Sequence, residues 1–252
     1  MGPVVLLTDF GADGHYAGIM KGVVRSLAPD ADIMDLSHSV APQDVRGAAF
    51  ILMTGAAFFP LGSVFACVVD PGVGSERAIL CARGEGRLYL APDNGLLSWL
   101  GRTQPFDSLR RVENDSLFLK PLSSTFHGRD IFAPVAARLA SGMPDEDVGP
   151  AAEGMAKIPF PSFREGDESG EIIFRDCYGN CVTNVPCGLV GGKRFFYGEV
   201  PLGPAVESYS RAGEGLPAAV LGSGGFVEFS VNGGSFGRKY GAQAGSAFTI
   251  KY

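Results

Sequence analysis

Positive charge and long apolar runs are both scarce in this sequence. Lysine and arginine total 21 against 27 aspartates and glutamates, for a net charge of −6. Nucleic-acid phosphates are bound by clustered basic side chains, and the chain has no such cluster, so this class of function is disfavoured. The longest apolar candidate, "GAAFILMTGAAFFPLG", is shorter than the roughly 18 residues that cross a bilayer. It contains four glycines or prolines and fits a buried helix better.

An export signal and a paired metal-binding cysteine motif are also missing. The N-terminal "MGPVVLLTDFG" has no basic region, and Asp9 interrupts its apolar run, so it predicts a strand. Of the five cysteines, Cys177, Cys181 and Cys187 are close in sequence but lack the paired C-x-x-C spacing of a zinc site. An odd number of cysteines without an export signal is typical of reduced thiols. We therefore expect a cytoplasmic protein with no metal and no cofactor.

The first half of the sequence alternates strands and helices. The chain has 252 residues, of which 46% are hydrophobic and 19% charged, as in ordinary globular proteins. "PVVLLTD", "ADIMDLS" and "GSVFACVVD" predict strands, and the segments between them have helical periodicity. Asp13 is the expected N-cap of the first helix, and Pro42 lies in the expected first turn of the second. This order predicts a parallel sheet with helices on both faces.

A hairpin and a helix follow, and the composition of the sequence changes after about Gly149. "RAILCAR" and "RLYLAPDNG" predict a hairpin, and "GRDIFAPVAARLASG" predicts an amphipathic helix that ends at Gly142. Residues 151–167 are rich in proline, glycine and charge and predict a linker, and short strands with glycine turns follow. We predict an α/β fold: an N-terminal α/β sandwich-like domain with a mainly parallel sheet over residues 1–150, and a small C-terminal all-β barrel domain over residues 168–252.

Polar side chains follow several of the predicted strands. Asp9 and Asp13 lie in "TDFGADG", Asp70 and Arg77 in "VDPGVGSER", and His127 in "TFHGRD". Ligands of open parallel sheets bind beyond the carboxyl ends of the strands, so these side chains can meet in one crevice. Each also has a structural interpretation. Asp9 would cap a helix and Asp70 would form a turn, while Arg77 would be a solvated charge and His127 a buried structural histidine.

Two common catalytic signatures are absent, and a third occurs outside its usual context. "DPGVG" lacks the Gly-Lys-Ser/Thr of a P-loop, and "DFGADG" lacks the full G-x-G-x-x-G of a dinucleotide site. The letters "GGSFG" at residues 233–237 match the G-x-S-x-G elbow of serine hydrolases, but they lie in a segment where no helix is predicted, and the elbow needs a strand-to-helix turn. Nucleoside triphosphate, nicotinamide and serine-hydrolase chemistries are therefore poorly supported.

Six motifs together resemble one known family. They are "LLTDFGADGHYAGIMKGV", "DLSHSVAPQDVRGAAFIL", "VVDPGVGSERA", "APDNGLL", "FHGRDIFAPVAARLASG" and "RDCYGNCVTNV". In this order they are similar to the S-adenosyl-L-methionine (SAM) hydroxide adenosyltransferases, which are related to the fluorinase and chlorinase enzymes. The resemblance extends over nearly the whole chain.

The resemblance implies an activity, an assembly and a set of site residues. It implies hydrolysis of SAM to adenosine and L-methionine by a homotrimer, with each site formed by the N-terminal domain of one subunit and the C-terminal domain of the next. The implied catalytic residues are Asp70, Arg77 and His127, and the implied ribose-binding acid is Asp9. The implied contacts to the methionine part are Asp13, Asp176 and Ser223. Those to the adenine part are Tyr178, Asn180 and the backbone near Gly233.

Two details of the resemblance bear on the nucleophile and on methionine binding. In the halide-using relatives the position of Asp70 is not acidic and the "HG" of His127 is replaced, so water or hydroxide is the implied nucleophile here. One segment departs from the family pattern, because an Asn-Ser turn is replaced by "GSGG" from Gly222 to Gly225. Backbone N–H groups would then have to replace side-chain contacts to the methionine carboxylate.

The residue types suit this reaction, although other functions remain open. Methionine leaves a sulfonium as a neutral thioether, so the difficult part is the nucleophile, which a cation, an imidazole and a carboxylate can activate. Which of Asp70 and His127 takes the proton is left open. The alternatives are a halide-using adenosyl transferase, a metal-dependent phosphohydrolase with Asp9, Asp13 and Asp70 as ligands, and a non-catalytic nucleoside-binding protein.

Overall fold

The computed structural model describes residues 2–252. The chain folds into two compact units, one ending at Ile158 and the other spanning Pro159–Tyr252. Residues 151–158, in the first part of the predicted linker, bond to the first unit: the Ala152 N–H donates to the Leu109 carbonyl at 2.8 Å. The indole Nε1 of Trp99 donates to the Ile158 carbonyl at 3.3 Å. The boundary of the first unit thus follows these hydrogen bonds.

The first unit contains a mixed six-stranded sheet. Its strands are β1 (Val4–Thr8), β2 (Ile33–Ser37), β3 (Val64–Val68), β4 (Ile79–Gly84), β5 (Arg87–Pro92) and β6 (Ser108–Arg111). The order is β2-β1-β3-β5-β4-β6. Strands β2, β1, β3 and β5 are parallel, whereas β4 is antiparallel to both β5 and β6. The predicted hairpin therefore forms, and it converts the expected mainly parallel sheet into a mixed one.

Helices cover both faces of this sheet. They are α1 (His15–Leu27), α2 (Val45–Gly55), α3 (Leu100–Thr103) and α4 (Ala133–Ala140). Along β1 the buried side chains alternate, with Leu6 packing into the cluster that contains α1 and α4. Leu7 packs into the cluster that contains α2. A strand buried on both faces needs a continuous apolar sequence, and "VVLL" provides it.

Two expected helix starts are wrong. The N-cap of α1 is Gly14, which makes no side-chain cap bond, and Asp13 is exposed in the preceding turn. Helix α2 begins at Val45, after Pro42, because the Asp44 carboxylate accepts from the Gly47 N–H at 2.8 Å. A carboxylate that satisfies a free N–H of the first turn is a stronger start signal than proline alone.

The second unit is an antiparallel sheet that nearly closes on itself. Its strands are β7 (Ser169–Arg175), β8 (Cys181–Pro186), β9 (Arg194–Tyr197), β10 (Val200–Gly203), β11 (Pro217–Leu221), β12 (Phe226–Val231) and β13 (Ala247–Lys251). Their order is β10-β9-β13-β7-β8-β12-β11. Just after β10, Val206 pairs with Val220 of β11, so the two edge strands come together.

An aromatic core fills this second sheet. Phe195, Phe229, Phe236 and Phe248 are each at most 2% exposed and their rings contact one another. Phe236 belongs to a five-residue helix, α5 (Phe236–Tyr240), which the sequence periodicity does not predict.

Among residues 2–252, no helix combines the length and apolar character of a membrane span.

Candidate active site

Asp70, Arg77 and His127 contact one another in the first unit. The Nε atom of Arg77 lies 2.8 Å from both carboxylate oxygens of Asp70, and Nη2 also bonds Oδ2. The same Nη2 lies 3.0 Å from Nδ1 of His127. The side chains of Arg77 and Asp70 are only 11% and 4% exposed. The three predicted catalytic residues therefore form one shielded cluster, joined through the guanidinium of Arg77.

The glycine turn after β3 places Asp70 in this cluster. Asp70 Oδ1 also accepts from the Gly72 N–H at 3.2 Å, so the carboxylate shapes the turn while it binds Arg77. Gly74 has φ = 79°, and a Cβ there would collide with the carbonyl oxygen of Ser124. Only glycine combines this backbone angle with such a close approach. The Asp70 carboxylate thus forms the predicted turn and also bonds Arg77.

His127 is held by the segment on either side of it. The chain leaves His127 through a π-helical turn, Gly128–Phe132, that continues into α4. Within this turn Asp130 is 1% exposed and its carboxylate accepts from the Ser123 N–H at 2.8 Å. This bond ties the loop before His127 to the turn after it, which restricts the position of the imidazole.

The protonation state of His127 follows from its surroundings. Burial is the main cause that lowers the pKa of His127 below its ordinary value of 6.5, and the charge of Arg77 acts in the same direction. The imidazole is therefore neutral near pH 7. A guanidinium can only donate hydrogen bonds, so Nδ1 of His127 must accept, and the ring proton lies on Nε2.

Two cavities adjoin the cluster. Asp9, Asp70 and His127 line a small one of about 60 Å³, together with Phe10 and Phe126. Arg77 and His127 also line a second cavity of about 200 Å³. Asp13 lines neither of them and is exposed to solvent. The structure thus brings Asp9 to the cluster and leaves Asp13 apart from it.

The loop that carries Asp9 is fixed from the loop after β2. Oδ2 of Asp9 accepts from the Gln43 N–H at 2.7 Å. Next to it, Oγ1 of the buried Thr8 lies 2.8 Å from Nδ1 of His38, and the His38 carbonyl accepts from the Gly11 N–H at 2.8 Å. Because His38 holds this loop on both sides of Asp9, its contacts are those of a structural histidine.

Five other predicted residues line a pocket of the second unit. The pocket measures about 700 Å³. The predicted residues on its wall are Asp176, Tyr178, Asn180, Ser223 and Gly233. Asp176 accepts from the Asn180 backbone N–H at 2.8 Å and from its side-chain amide at 2.9 Å. Tyr178 is 77% exposed, so its ring is available to a ligand.

The same pocket contains a residue pair that the sequence interpretation missed. The Tyr209 hydroxyl donates to Oε2 of Glu228 at 2.6 Å, and Glu228 is only 9% exposed. Burial is the main cause that raises the pKa of Glu228, and the charge of Asp176 acts in the same direction. One signal was available: Glu228 interrupts the apolar strand "FVEFSV". Acidic side chains are rarely buried in such a strand unless they have a partner group.

Comparisons with known proteins follow the same division of the chain. The model of the SAM hydroxide adenosyltransferase N-terminal domain matches residues 4–149. The model of the C-terminal domain of that family matches residues 170–249.

Among residues 2–252, no three His, Cys, Asp or Glu side chains are grouped so that they could hold a metal ion.

Individual relatives cover almost the whole chain. A Thermus thermophilus protein named (R)-S-adenosyl-L-methionine hydrolase is 38% identical over 97% of this chain and 98% of its own length. A protein of the same name from Salinispora arenicola is 36% identical over 90% of this chain and 89% of its own. A Thermotoga maritima crystal structure, of a protein described as uncharacterized, has a TM-score of 0.90 and 33% identity over 99% of this chain and 100% of that one.

The fluorinases are more distant. The fluorinase of Actinopolyspora mzabensis is 25% identical over 98% of this chain and 96% of its own length. The resemblance expected from the six sequence motifs is therefore confirmed, and it is stronger to proteins named hydrolases than to those named fluorinases. The chain belongs to the SAM hydroxide adenosyltransferase family.

Proposed function

We propose that this protein hydrolyses SAM to adenosine and L-methionine. The observation that carries the proposal is the contact of Asp70, Arg77 and His127 beside a cavity that Asp9 also lines. Membership of the family and the names of its similar relatives support the same reaction.

The reaction is an in-line displacement at C5′ of the adenosyl group. The oxygen of a water molecule forms a bond to C5′ while the C5′–S bond breaks. The electron pair of the C5′–S bond stays on sulfur, which becomes the thioether of methionine. The water loses one proton and becomes the 5′-hydroxyl of adenosine. The shielding of Asp70 and Arg77 from solvent favours this step, because the charge of the sulfonium disappears as it proceeds.

The hydrogen bonds of the cluster suggest how the roles divide. His127 accepts from Arg77 at Nδ1, so its Nε2–H can donate to the attacking oxygen but cannot accept a proton from it. Asp70 is then the group of the cluster that takes the proton, and Arg77 orients both partners and stabilises developing negative charge.

The binding residues take the roles that the family resemblance implies. The Asp9 carboxylate would accept hydrogen bonds from the ribose hydroxyls. Asn180 and the Gly233 backbone would contact the adenine, and Tyr178 would stack on it. Asp176 and Ser223 would contact the methionine part, as would Asp13, although Asp13 is exposed and lies outside the cavities described.

The organisation of the whole protein is part of the proposal. We propose a cytoplasmic homotrimer whose complete sites combine the N-terminal domain of one copy with the C-terminal domain of another, as the resemblance implies. The domains would span residues 1–150 and 168–252, joined by the segment 151–167. The nearly closed sheet of the second unit would be a small barrel.

Product analysis in labelled water tests the reaction. The protein is incubated with SAM in H₂¹⁸O, in halide-free buffer with a chelator, and the products are identified by mass spectrometry. We expect adenosine with ¹⁸O at the 5′ position, together with methionine. A 5′-halogenated nucleoside formed only after halide is added would favour the transferase alternative. Loss of turnover with chelator would favour the metal-dependent alternative, and tight binding without product would favour a binding protein.

A further inference from the structure

The loop between β2 and α2 supplies no group to the proposed reaction, yet it bonds to the segment that carries Asp9. Its sequence, "SHSVAPQ" over residues 37–43, belongs to one of the six motifs of the family resemblance. His38 contacts Thr8 and Gly11, and Gln43 contacts the Asp9 carboxylate. The loop thus touches the Asp9 segment at three points.

His38 fixes the chain on either side of Asp9. Its Nδ1 lies 2.8 Å from Oγ1 of Thr8, and the same Oγ1 accepts from the Phe10 N–H at 3.3 Å. The His38 carbonyl accepts from the Gly11 N–H at 2.8 Å. Thr8 is fully buried and the His38 side chain is only 11% exposed, so water competes little for these bonds.

The other nitrogen of the His38 ring is in contact with a charged pair. Nε2 lies 3.0 Å from Oδ1 of Asp35, and Oδ2 of Asp35 accepts from Nζ of Lys21 at 2.6 Å. Asp35 belongs to β2 and Lys21 to α1. The orientation of the imidazole is therefore set from both sides, by Thr8 and by a pair on two regular elements.

Gln43 contacts the carboxylate of Asp9 itself. Its backbone has φ = 66°, which is uncommon for a residue with a side chain. In this conformation its N–H donates to Oδ2 of Asp9 at 2.7 Å. Strained backbone of this kind persists where its surroundings hold it in place, and it is concentrated at functional sites. The bond fixes one oxygen of the carboxylate and so orients the other.

We infer that His38 is a positioning residue for ribose binding, which acts by setting the place of the Asp9 carboxylate. The inference rests on the proposed function, in which Asp9 accepts hydrogen bonds from the ribose hydroxyls. A carboxylate can accept from two neighbouring hydroxyls only when both of its oxygens are correctly placed. We therefore expect His38 to control the affinity for the ribose diol and to have little effect on the step at C5′.

Two nucleosides that differ only in the ribose hydroxyls measure this role. Calorimetry gives the dissociation constants of adenosine and of 2′,3′-dideoxyadenosine. We expect the wild type to bind adenosine about tenfold to a hundredfold more tightly, the usual range for hydrogen bonds to a charged group. His38→Leu should reduce this ratio to below about threefold through weaker adenosine binding alone. The unchanged affinity for dideoxyadenosine then shows that the variant is folded.

Steady-state kinetics on SAM should show the same division. In His38→Leu we expect KM to rise about tenfold, as for a weakened hydrogen bond to a charged group, with kcat changed less than about threefold. His38→Asn is the conservative variant, because its amide reaches the place of Nδ1 and can still bond Thr8. It should keep most of the preference for adenosine. Thr8→Val removes only the hydroxyl and should act as His38→Leu does.

A double variant shows whether His38 acts through Asp9. Asp9→Ala should remove most of the preference for adenosine, and adding His38→Leu to it should reduce adenosine affinity no further, since the two residues share one interaction. A further loss in the double variant, or equal weakening of both nucleosides in His38→Leu and Thr8→Val, would overturn the inference.

The proposed function and this inference fail in different ways. If the wild type forms no adenosine from SAM, the proposed function is wrong, but calorimetry still decides the role of His38 because it needs no turnover. If the wild type hydrolyses SAM but does not prefer adenosine to dideoxyadenosine, Asp9 does not bind the diol and the inference alone is overturned.

Discussion

Arg77 is the residue that connects the candidate catalytic groups. Its Nε and Nη2 atoms donate hydrogen bonds to the Asp70 carboxylate, and the same Nη2 also donates to the His127 ring. A planar guanidinium can hold both partners in one geometry, whereas an ammonium is a single point charge. The arrangement of the cluster therefore depends on an arginine and not only on a positive charge.

We predict that Arg77→Lys loses most of the activity although it keeps the charge. The lysine cannot bond both oxygens of Asp70 and the imidazole at once, so kcat should fall about a hundredfold or more, within the range of effects seen for misplaced catalytic groups. KM should change less than about threefold, because Arg77 has no proposed contact with the adenine or the methionine. Steady-state kinetics on SAM measures both; a lysine variant with wild-type kcat would contradict the role.

The protonation of His127 predicts how kcat falls at acidic pH. Its lowered pKa means that the neutral ring persists below pH 6.5, so kcat should fall with a midpoint below 6.5. The folded protein resists protonation here, so this histidine also lowers stability as pH falls through 6.5 toward its folded pKa. Titration of kcat and of the His127 resonance in NMR should agree. The exposed His15 provides a control, since His15→Gln should keep the same midpoint.

At the scale of elements, two turns position the cluster on the rigid sheet. The turn from Asp70 to Arg77 follows β3, and the π-helical turn Gly128–Phe132 leads from His127 into α4. The first of these turns passes the loop before His127, where Gly74 lies against the Ser124 carbonyl. The position of His127 relative to Asp70 thus depends on a close contact between two backbones.

We predict opposite effects for two glycine-to-alanine substitutions. Gly74→Ala combines a positive φ with a collision, so it should lower the melting temperature and kcat together. Gly18→Ala, on the exposed side of α1 where a Cβ meets no atom within 4 Å, should stabilise the protein by up to about 1 kcal/mol and leave kcat unchanged. Thermal melts and initial rates check both. A Gly74→Ala protein with wild-type kcat would show that this approach does not position His127.

At the scale of the whole molecule, the net charge affects how fast the substrate reaches the protein. The protein has a net charge of −6, whereas SAM is cationic because its sulfonium and ammonium outweigh one carboxylate. Opposite net charges speed the approach of a ligand, and salt screens this effect.

We therefore predict that kcat/KM for SAM falls as a halide-free salt is raised from about 0.01 M to about 0.5 M, over which the screening length shortens severalfold. The value of kcat should stay constant, because the bound substrate is shielded from the salt. Adenosine, which is neutral, serves as the control, and its inhibition constant should not change. A kcat/KM that is independent of salt would mean that the net charge does not steer the substrate.

Much of the fold and of the candidate site could be predicted from local patterns. The apolar runs of β1 and β3 indicate strands buried on both faces, and the polar residues after them, Asp9 and Asp70, indicate a site at the strand ends. The start of α1 could not be read in this way, because Gly14 takes the place expected of Asp13. Capping depends on the local path of the chain, which neighbouring loops also shape.

Glu228 shows why part of the pocket of the second unit could not be predicted from the sequence. Its partner Tyr209 is 19 residues away, and Gly222, which leaves room for it, lies in another turn. Neither relation has a fixed spacing that a motif could contain. The pairing of Asp176 with Asn180, four residues apart within "DCYGN", is local and belongs to a recognisable motif.

The sequence by itself determined the family, the alternation of elements in the first unit and the all-β character of the second, because side-chain periodicity and short motifs are properties of neighbouring residues. Only the tertiary structure decided that Arg77 bonds Asp70 and His127 at once, that the imidazole accepts at Nδ1, and that Glu228 is buried on the wall of a pocket. Hydrogen-bond direction and burial depend on atoms from distant segments, and folding is what brings those atoms together.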